Sequence, residues 1–219
     1  MKKRTKIRFL LRREFLFTLT SFCLVGCKIK KTPTPNNHTE SQDSLDKVQV
    51  LETVSNCQST IRDIEGPFYI PNAPIRNKLN IFDEKGTVVK MSGRIFISNC
   101  NRGSSGVFIE VWHANTSGEY DNISTDMKYR CRIKTDEKGF YELTTILPGR
   151  YKNGRTYRPR HFHIKIIDSE DIEHLTTQIY FKGDSYIETD PFVHISNVVH
   201  FKGSEETILE AQNVDFFIV

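Results

Sequence analysis

The sequence lacks an apolar run long enough to cross a bilayer; the stretch from Phe15 to Val25 is the nearest to one, at about half the length a spanning helix needs. Internal repeats are absent, which excludes solenoid and propeller arrays. No sustained 3.6-residue hydrophobic period is present either, which excludes a helical bundle. A basic folded body is also missing. The net charge is +4, but the first 26 residues hold seven basic side chains (Lys2, Lys3, Arg4, Lys6, Arg8, Arg12, Arg13) and one acid, Glu14. Subtracting them from 31 basic and 27 acidic residues leaves 24 and 26, about −2 for the rest, and so no nucleic-acid partner is expected.

The basic start followed by a short apolar run reads as a targeting segment, residues 1–26. Arg12-Arg13-Glu14-Phe15-Leu16 resembles a twin-arginine export signal. Leu24-Val25-Gly26-Cys27 resembles a lipoprotein box, with Cys27 as the lipidated first residue of the mature chain. Together they predict an exported protein held in a bacterial cell envelope by a lipid anchor only. Twin-arginine export carries folded proteins and so suits one that acquires a metal before export. Residues 27–49 are polar, with Pro33, Pro35, Asn36 and Asn37, and read as a flexible tether; the folded domain is expected over 50–219.

Cysteine is scarce. Of five, Cys23 lies in the leader and Cys27 would carry lipid, leaving Cys57, Cys100 and Cys131. Cys57 and Cys100 sit in turn-like contexts and Cys131 in a strand-like run, so a Cys57–Cys100 disulfide and a buried Cys131 are expected in an oxidising compartment.

What the domain does contain is short strands between turn signals: Val88–Ser98, Gly106–His113, Tyr129–Thr135, Phe140–Leu147, His161–Asp168, Thr176–Phe181, Ile195–Phe201 and Asp215–Val219. Asp136-Glu137-Lys138-Gly139 reads as a hairpin turn. This pattern predicts an all-β fold, a β-sandwich with little helix.

Chemistry concentrates between Pro148 and His163. On a strand, His161 and His163 point to one face while Phe162 and Ile164 point to the other. Two imidazoles on one face are a ready pair of metal ligands, although alone such a pair is more often a solvated face. Pro159 fixes the chain where it joins the strand. Tyr151 lies ten residues upstream of His161 on a loop able to fold back, and Tyr120 follows the segment Trp112–Glu119. Two phenolates with two imidazoles suit ferric iron, because phenolate is a hard anionic ligand.

Four ordered blocks then resemble the intradiol ring-cleavage dioxygenases, the family of catechol and protocatechuate dioxygenases. They are Glu65-Gly66-Pro67-Phe68-Tyr69, Glu110 through Tyr120, Pro148 through His163, and Leu175-Thr176-Thr177-Gln178, and the resemblance covers roughly Glu65 to Val193. The resemblance implies a β-sandwich core and Fe(3+) held by Tyr120, Tyr151, His161 and His163, with Tyr151 the ligand that leaves when substrate binds. It implies catalytic roles beside the substrate ring for Arg158 and Gln178, and for Tyr151 as proton acceptor. It implies that a catechol-type substrate and O2 give a cis,cis-muconate-type diacid. Long catechol dioxygenases carry a helical N-terminal dimer interface, for which the tether leaves no room; a homo-oligomer would need another surface.

Two alternatives compete. A ferrous oxygenase with two histidines and one carboxylate would need an acid beside the pair, and Asp168 is too far along the strand. A non-enzymatic, envelope-anchored β-sandwich binding module would leave four candidate ligands, Arg158 and Gln178 without purpose.

Overall fold

The computed structural model describes residues 58–219 apart from Asn99. The leader, the tether and Cys57 lie outside the described residues. Within them are twelve strands and no α-helix: β1 Val88–Ile97, β2 Phe108–Trp112, β3 Arg130–Lys134, β4 Phe140–Ile146, β5 Lys152–Asn153, β6 Thr156–Tyr157, β7 His161–Ile167, β8 Glu173–Phe181, β9 Val198–Val199, β10 Lys202–Gly203, β11 Ile208–Ala211 and β12 Phe216–Ile218.

Two five-stranded sheets carry the fold. One runs β10-β11-β1-β12, with β4 paired to the other side of β1; the second runs β3-β2-β7-β8-β9. Period-2 alternation dictates which side chains meet between them. Val89, Met91 and Ile95 of β1 join Ile109 and Val111 of β2, Leu143 of β4, and Phe162, Ile164 and Ile166 of β7 in one buried cluster. Each of the fully buried β7 side chains contributes about 1.5–3 kcal/mol of transfer free energy. An all-β sandwich is therefore what the alternation builds.

β7 is buried along its whole length, so its second face also needs cover. That face presents His161, His163 and Lys165, beside Thr176, Gln178 and Tyr180 of β8 and Glu110 and Trp112 of β2. Residues 61–69 lie across it. Ile64 O accepts from Gln178 Nε2 at 2.7 Å, Glu65 pairs with Lys165, and Tyr69 Oη donates to Glu110 at 2.7 Å. The Glu65–Tyr69 block is thus the lid of a polar interior layer. Its buried charges are paired, as buried charges must be.

The structure corrects two expectations and adds four short strands. Asp136–Gly139 forms a turn, with Asp136 Oδ1 accepting from Lys138 N and Phe140 N, each at 2.8 Å. It does not close a hairpin: β3 pairs with β2, and β4 with β1 in the opposite sheet. Good local turn chemistry does not say which sheet each arm joins. Ile195–Phe201 is not one strand; a 3₁₀ turn, Ile195–Asn197, precedes the two-residue β9, because the His194 side chain accepts from Ser196 N and starts a turn. The short strands β5, β6, β10 and β11 were not anticipated. Cys131 is buried and free as expected, its thiol pushed up to about 12 by burial. Cys100 is disulfide-bonded.

Candidate metal centre

His161 and His163 share one face of β7, and their Nε2 atoms stand 3.1 Å apart. His161 Nδ1 donates to Pro159 O at 2.7 Å, which fixes the tautomer and turns the Nε2 lone pair outward. Tyr120 Oη completes a triangle, 3.2 Å from His161 Nε2 and 3.0 Å from His163 Nε2. Burial pushes the His161 pKa down to about 4 and that of His163 further below the ordinary value, so both rings are neutral at pH 7. Burial likewise raises Tyr120 above the ordinary phenol value. Three atoms able to donate electron pairs to a metal therefore converge.

A cation answers that arrangement. Ligands at about 2.1 Å from a first-row ion, set at right angles, stand about 3 Å apart. Two neutral imidazoles and a phenol that ionises only beside positive charge fit a hard, highly charged ion such as ferric iron. Among the described residues, no group of three or more His, Cys, Asp or Glu side chains could hold a metal. Asp168, the acid nearest in sequence to the pair, instead lies 3.0 Å from His174 Nε2. The two-histidine, one-carboxylate arrangement thus has no carboxylate among these residues.

Local structure explains how Tyr120 arrives. After β2, His113 Nδ1 donates to Ala114 O and its Nε2 accepts from Thr145 Oγ1, both at 2.7 Å, which anchors the chain end. Asn115 Oδ1 accepts from Ser117 N and Glu119 N, each at 2.9 Å, closing a turn. Gly118 lies at φ +84°, where a Cβ would come within 2.2 Å of Arg150 O; a Cβ on Gly149 would come within 2.4 Å of Thr116 O. The two tyrosine-bearing loops therefore touch backbone to backbone, and Gly149 N donates to Asn115 O at 2.8 Å. Their phenol rings meet edge to face, 5.7 Å between centroids, and Phe68 from the lid stacks on Tyr120 at 4.3 Å.

Above the triangle opens a cavity of about 120 Å³ whose lining includes Phe68, Tyr151, Asn153, Arg158 and Phe192. Tyr151 is half-buried. Among the described residues its hydroxyl has no hydrogen bond to the triangle. Arg158 is buried, with Nε donating to Asp190 Oδ2 at 2.6 Å and Nη2 to Tyr180 Oη at 3.0 Å. Gln178 stands opposite His163 in register, but its amide is spent on Ile64 O at 2.7 Å and on the Tyr180 hydroxyl at 3.0 Å, and it is not among the lining residues.

Sequence reasoning missed Trp112, Tyr180, Asp190, Phe68 and Asn153 as parts of this site. Tyr180 was within reach, since it follows Gln178 by two on the same strand face. Asp190 carries no local signal.

A family model described as dioxygenase matches residues 64–214. The catechol 1,2-dioxygenase 2 of Acinetobacter lwoffii is 31% identical over 151 residues, 60% of this chain and 54% of that relative. A chlorocatechol 1,2-dioxygenase of Pseudomonas putida is 31% identical over 154 residues, 58% of this chain and 55% of that relative. The chain spans about half the length of these relatives. Among solved structures, the dioxygenase domain of a dioxygenase carbohydrate-binding protein fusion from Streptomyces sp. SirexAA-E superposes with a TM-score of 0.64 at 30% identity, covering 73% of this chain and 97% of that one. Since the matched span takes in every residue of the candidate centre, the chain belongs to the intradiol ring-cleavage dioxygenase family.

Proposed function

We propose that the chain is an iron(III)-dependent dioxygenase that opens a catechol-type ring between its two hydroxylated carbons with O2, giving a cis,cis-muconate-type diacid. The observation that carries this reading is the convergence of Tyr120 Oη, His161 Nε2 and His163 Nε2 within 3.0–3.2 Å of one another, beneath a cavity that Tyr151 and Arg158 line. Tyr120, Tyr151, His161 and His163 would hold the iron. Bound there, ferric iron would supply Lewis-acid activation of the catechol ring toward O2.

The rest falls to the chain's own residues. Tyr151, at the rim, accepts a substrate hydroxyl proton at its Oη as it swings away. Tyr120, clasped by Phe68, stays. Arg158 faces the developing negative charge on the ring from a buried position, where such an interaction is strong. An apolar cavity of about 150 Å³ holds one benzene ring; the 120 Å³ here, open at its mouth, supports a single-ring substrate. Export and anchoring through Cys27 in the bacterial envelope rest on the leader motifs.

A visible spectrum of the iron-loaded protein, recorded before and after adding catechols under nitrogen, tests this reading. A charge-transfer band that shifts on catechol binding, with about one iron per chain, is expected. Iron bound without such a band, or a band indifferent to every catechol, defeats it.

A further inference from the structure

We infer that Asp190 is a positioning residue, which holds the Arg158 guanidinium side-on so that its remaining nitrogen is aimed at the substrate ring; the inference rests on the function proposed above. Arg158 is fixed by a residue 32 positions away on a different loop. Asp190 Oδ2 accepts from Nε at 2.6 Å and Oδ1 lies 3.4 Å from Nη2, so the carboxylate grips one edge of the planar fork. Nη2 also donates to Tyr180 Oη at 3.0 Å. Among the described residues nothing accepts from Nη1, and Arg158 lines the cavity above the two histidines. Three contacts to two partners restrain Nε and Nη2 and leave Nη1 as the nitrogen free to face the cavity.

The pair is dry: side-chain exposure is 7% for Arg158 and 2% for Asp190. A lone guanidinium there would be an uncompensated buried charge beside two neutral imidazoles. Burial is the largest single influence and works against the Arg158 charge, but the hydrogen bonds and charge interactions of Asp190 and Tyr180 together outweigh it, leaving the arginine pKa above its ordinary value. Asp190 is itself held, its Oδ1 accepting from Phe192 N at 2.8 Å. The Phe192 ring lies 4.9 Å from the guanidinium and lines the same cavity. One short segment, Asp190-Pro191-Phe192, thereby orients the cation and supplies an apolar wall beside it.

The test uses the iron-loaded full chain with catechol as probe. Asp190→Asn is nearly isosteric and keeps a hydrogen-bond acceptor while removing the charge. It should keep parental iron content and resting visible spectrum, because Asp190 touches none of the candidate ligands. Its kcat/KM should fall by about 10- to 100-fold, the range for a lost orienting partner. Arg158→Ala should lose about 10²- to 10³-fold, and Arg158→Ala/Asp190→Asn should be no worse than Arg158→Ala alone, because Asp190 acts through Arg158. Parental kcat and KM in Asp190→Asn overturn the inference, as does a double variant whose loss equals the product of the two single losses. Unfolding or iron loss in Asp190→Asn marks Asp190 as a structural residue and overturns it too. If the parent chain turns over no catechol, the functional reading and this inference fall together, and that result is distinguishable because it shows in the parent.

Discussion

Trp112 lies flat against His163, with ring planes 7° apart and centroids 4.8 Å apart. The two residues are paired in register across β2 and β7, so the stack is a direct product of strand alternation. The two histidines are held by different means. His161 is locked by the Pro159 carbonyl, whereas His163 Nδ1 has no hydrogen-bond partner among the described residues. With no hydrogen bond at Nδ1, the His163 ring is oriented by the indole face together with the contacts at its Nε2.

Trp112→Ala should therefore weaken iron retention by about 10- to 100-fold and destabilise the fold by roughly 3–5 kcal/mol through the cavity it leaves. Trp112→Phe keeps a flat ring against the imidazole and should retain most of the iron. Iron remaining after a timed chelator challenge measures both. A Trp112→Ala protein that holds iron as firmly as the parent would show that the stack does not orient His163.

Much of this site was legible because it is local. The same-face placement of His161 and His163 follows from a two-residue period, and the core residues Phe162, Ile164 and Ile166 follow from the same alternation. Tyr151 comes edge-on to the Tyr120 ring because its loop is joined to the Tyr120 loop at Gly118 and Gly149. That contact is between backbones far apart in sequence, and residue type alone only permits it. The grip of Asp190 on Arg158 is equally non-local. The Asp136–Gly139 turn failed as a hairpin for a related reason: a turn sets a reversal of direction, while core packing decides which sheet each arm joins.

Acid should loosen the fold through His113. Burial pushes its pKa down to about 4, against an ordinary value near 6.5. Between those values the unfolded chain binds a proton that the folded chain refuses, so stability falls as pH drops from about 6.5 to about 4 and levels off below. The loss from this one group is on the order of 3 kcal/mol. Urea unfolding of the iron-free protein at pH 7 and pH 4.5 should show it. His113→Asn, although less stable at pH 7 for want of the paired Ala114 and Thr145 contacts, should show a smaller decline. An equal decline in parent and variant would assign the acid sensitivity to other groups.

The leader makes a separate, cellular prediction. Cys27→Ala should move the protein from the membrane to the soluble fraction and leave its specific activity unchanged, because the box Leu24–Cys27 precedes a polar stretch rather than the domain. Fractionation of the expressing cells, with activity assayed in each fraction, reads both quantities. Retention of the variant in the membrane would refute a lipid anchor at Cys27.

Tyr120 and Tyr151 should prove to have different jobs. Tyr120 Oη lies 3.0–3.2 Å from both histidine nitrogens, and its ring is stacked on Phe68. Tyr151 stands half-buried at the cavity wall, edge-on to both Tyr120 and Phe68. If both tyrosines ligate iron as proposed, both phenolates contribute visible absorbance, and Tyr120→Phe and Tyr151→Phe should each lose part of it. On the proposed mechanism Tyr151→Phe lacks the group that takes up the substrate proton, and catechol should bind about 10²-fold more slowly. The complex, once formed, keeps Tyr120 and should still react with O2 at a reduced rate. Tyr120→Phe should instead hold iron poorly before and after substrate arrives, because the donor removed belongs to the triangle itself. Stopped-flow mixing with catechol under nitrogen, followed by an oxygen pulse, separates these steps. Should Tyr151→Phe bind catechol at the parental rate while Tyr120→Phe is the slow one, the two assignments are reversed. Unchanged spectra in both variants would remove tyrosinate from the centre altogether.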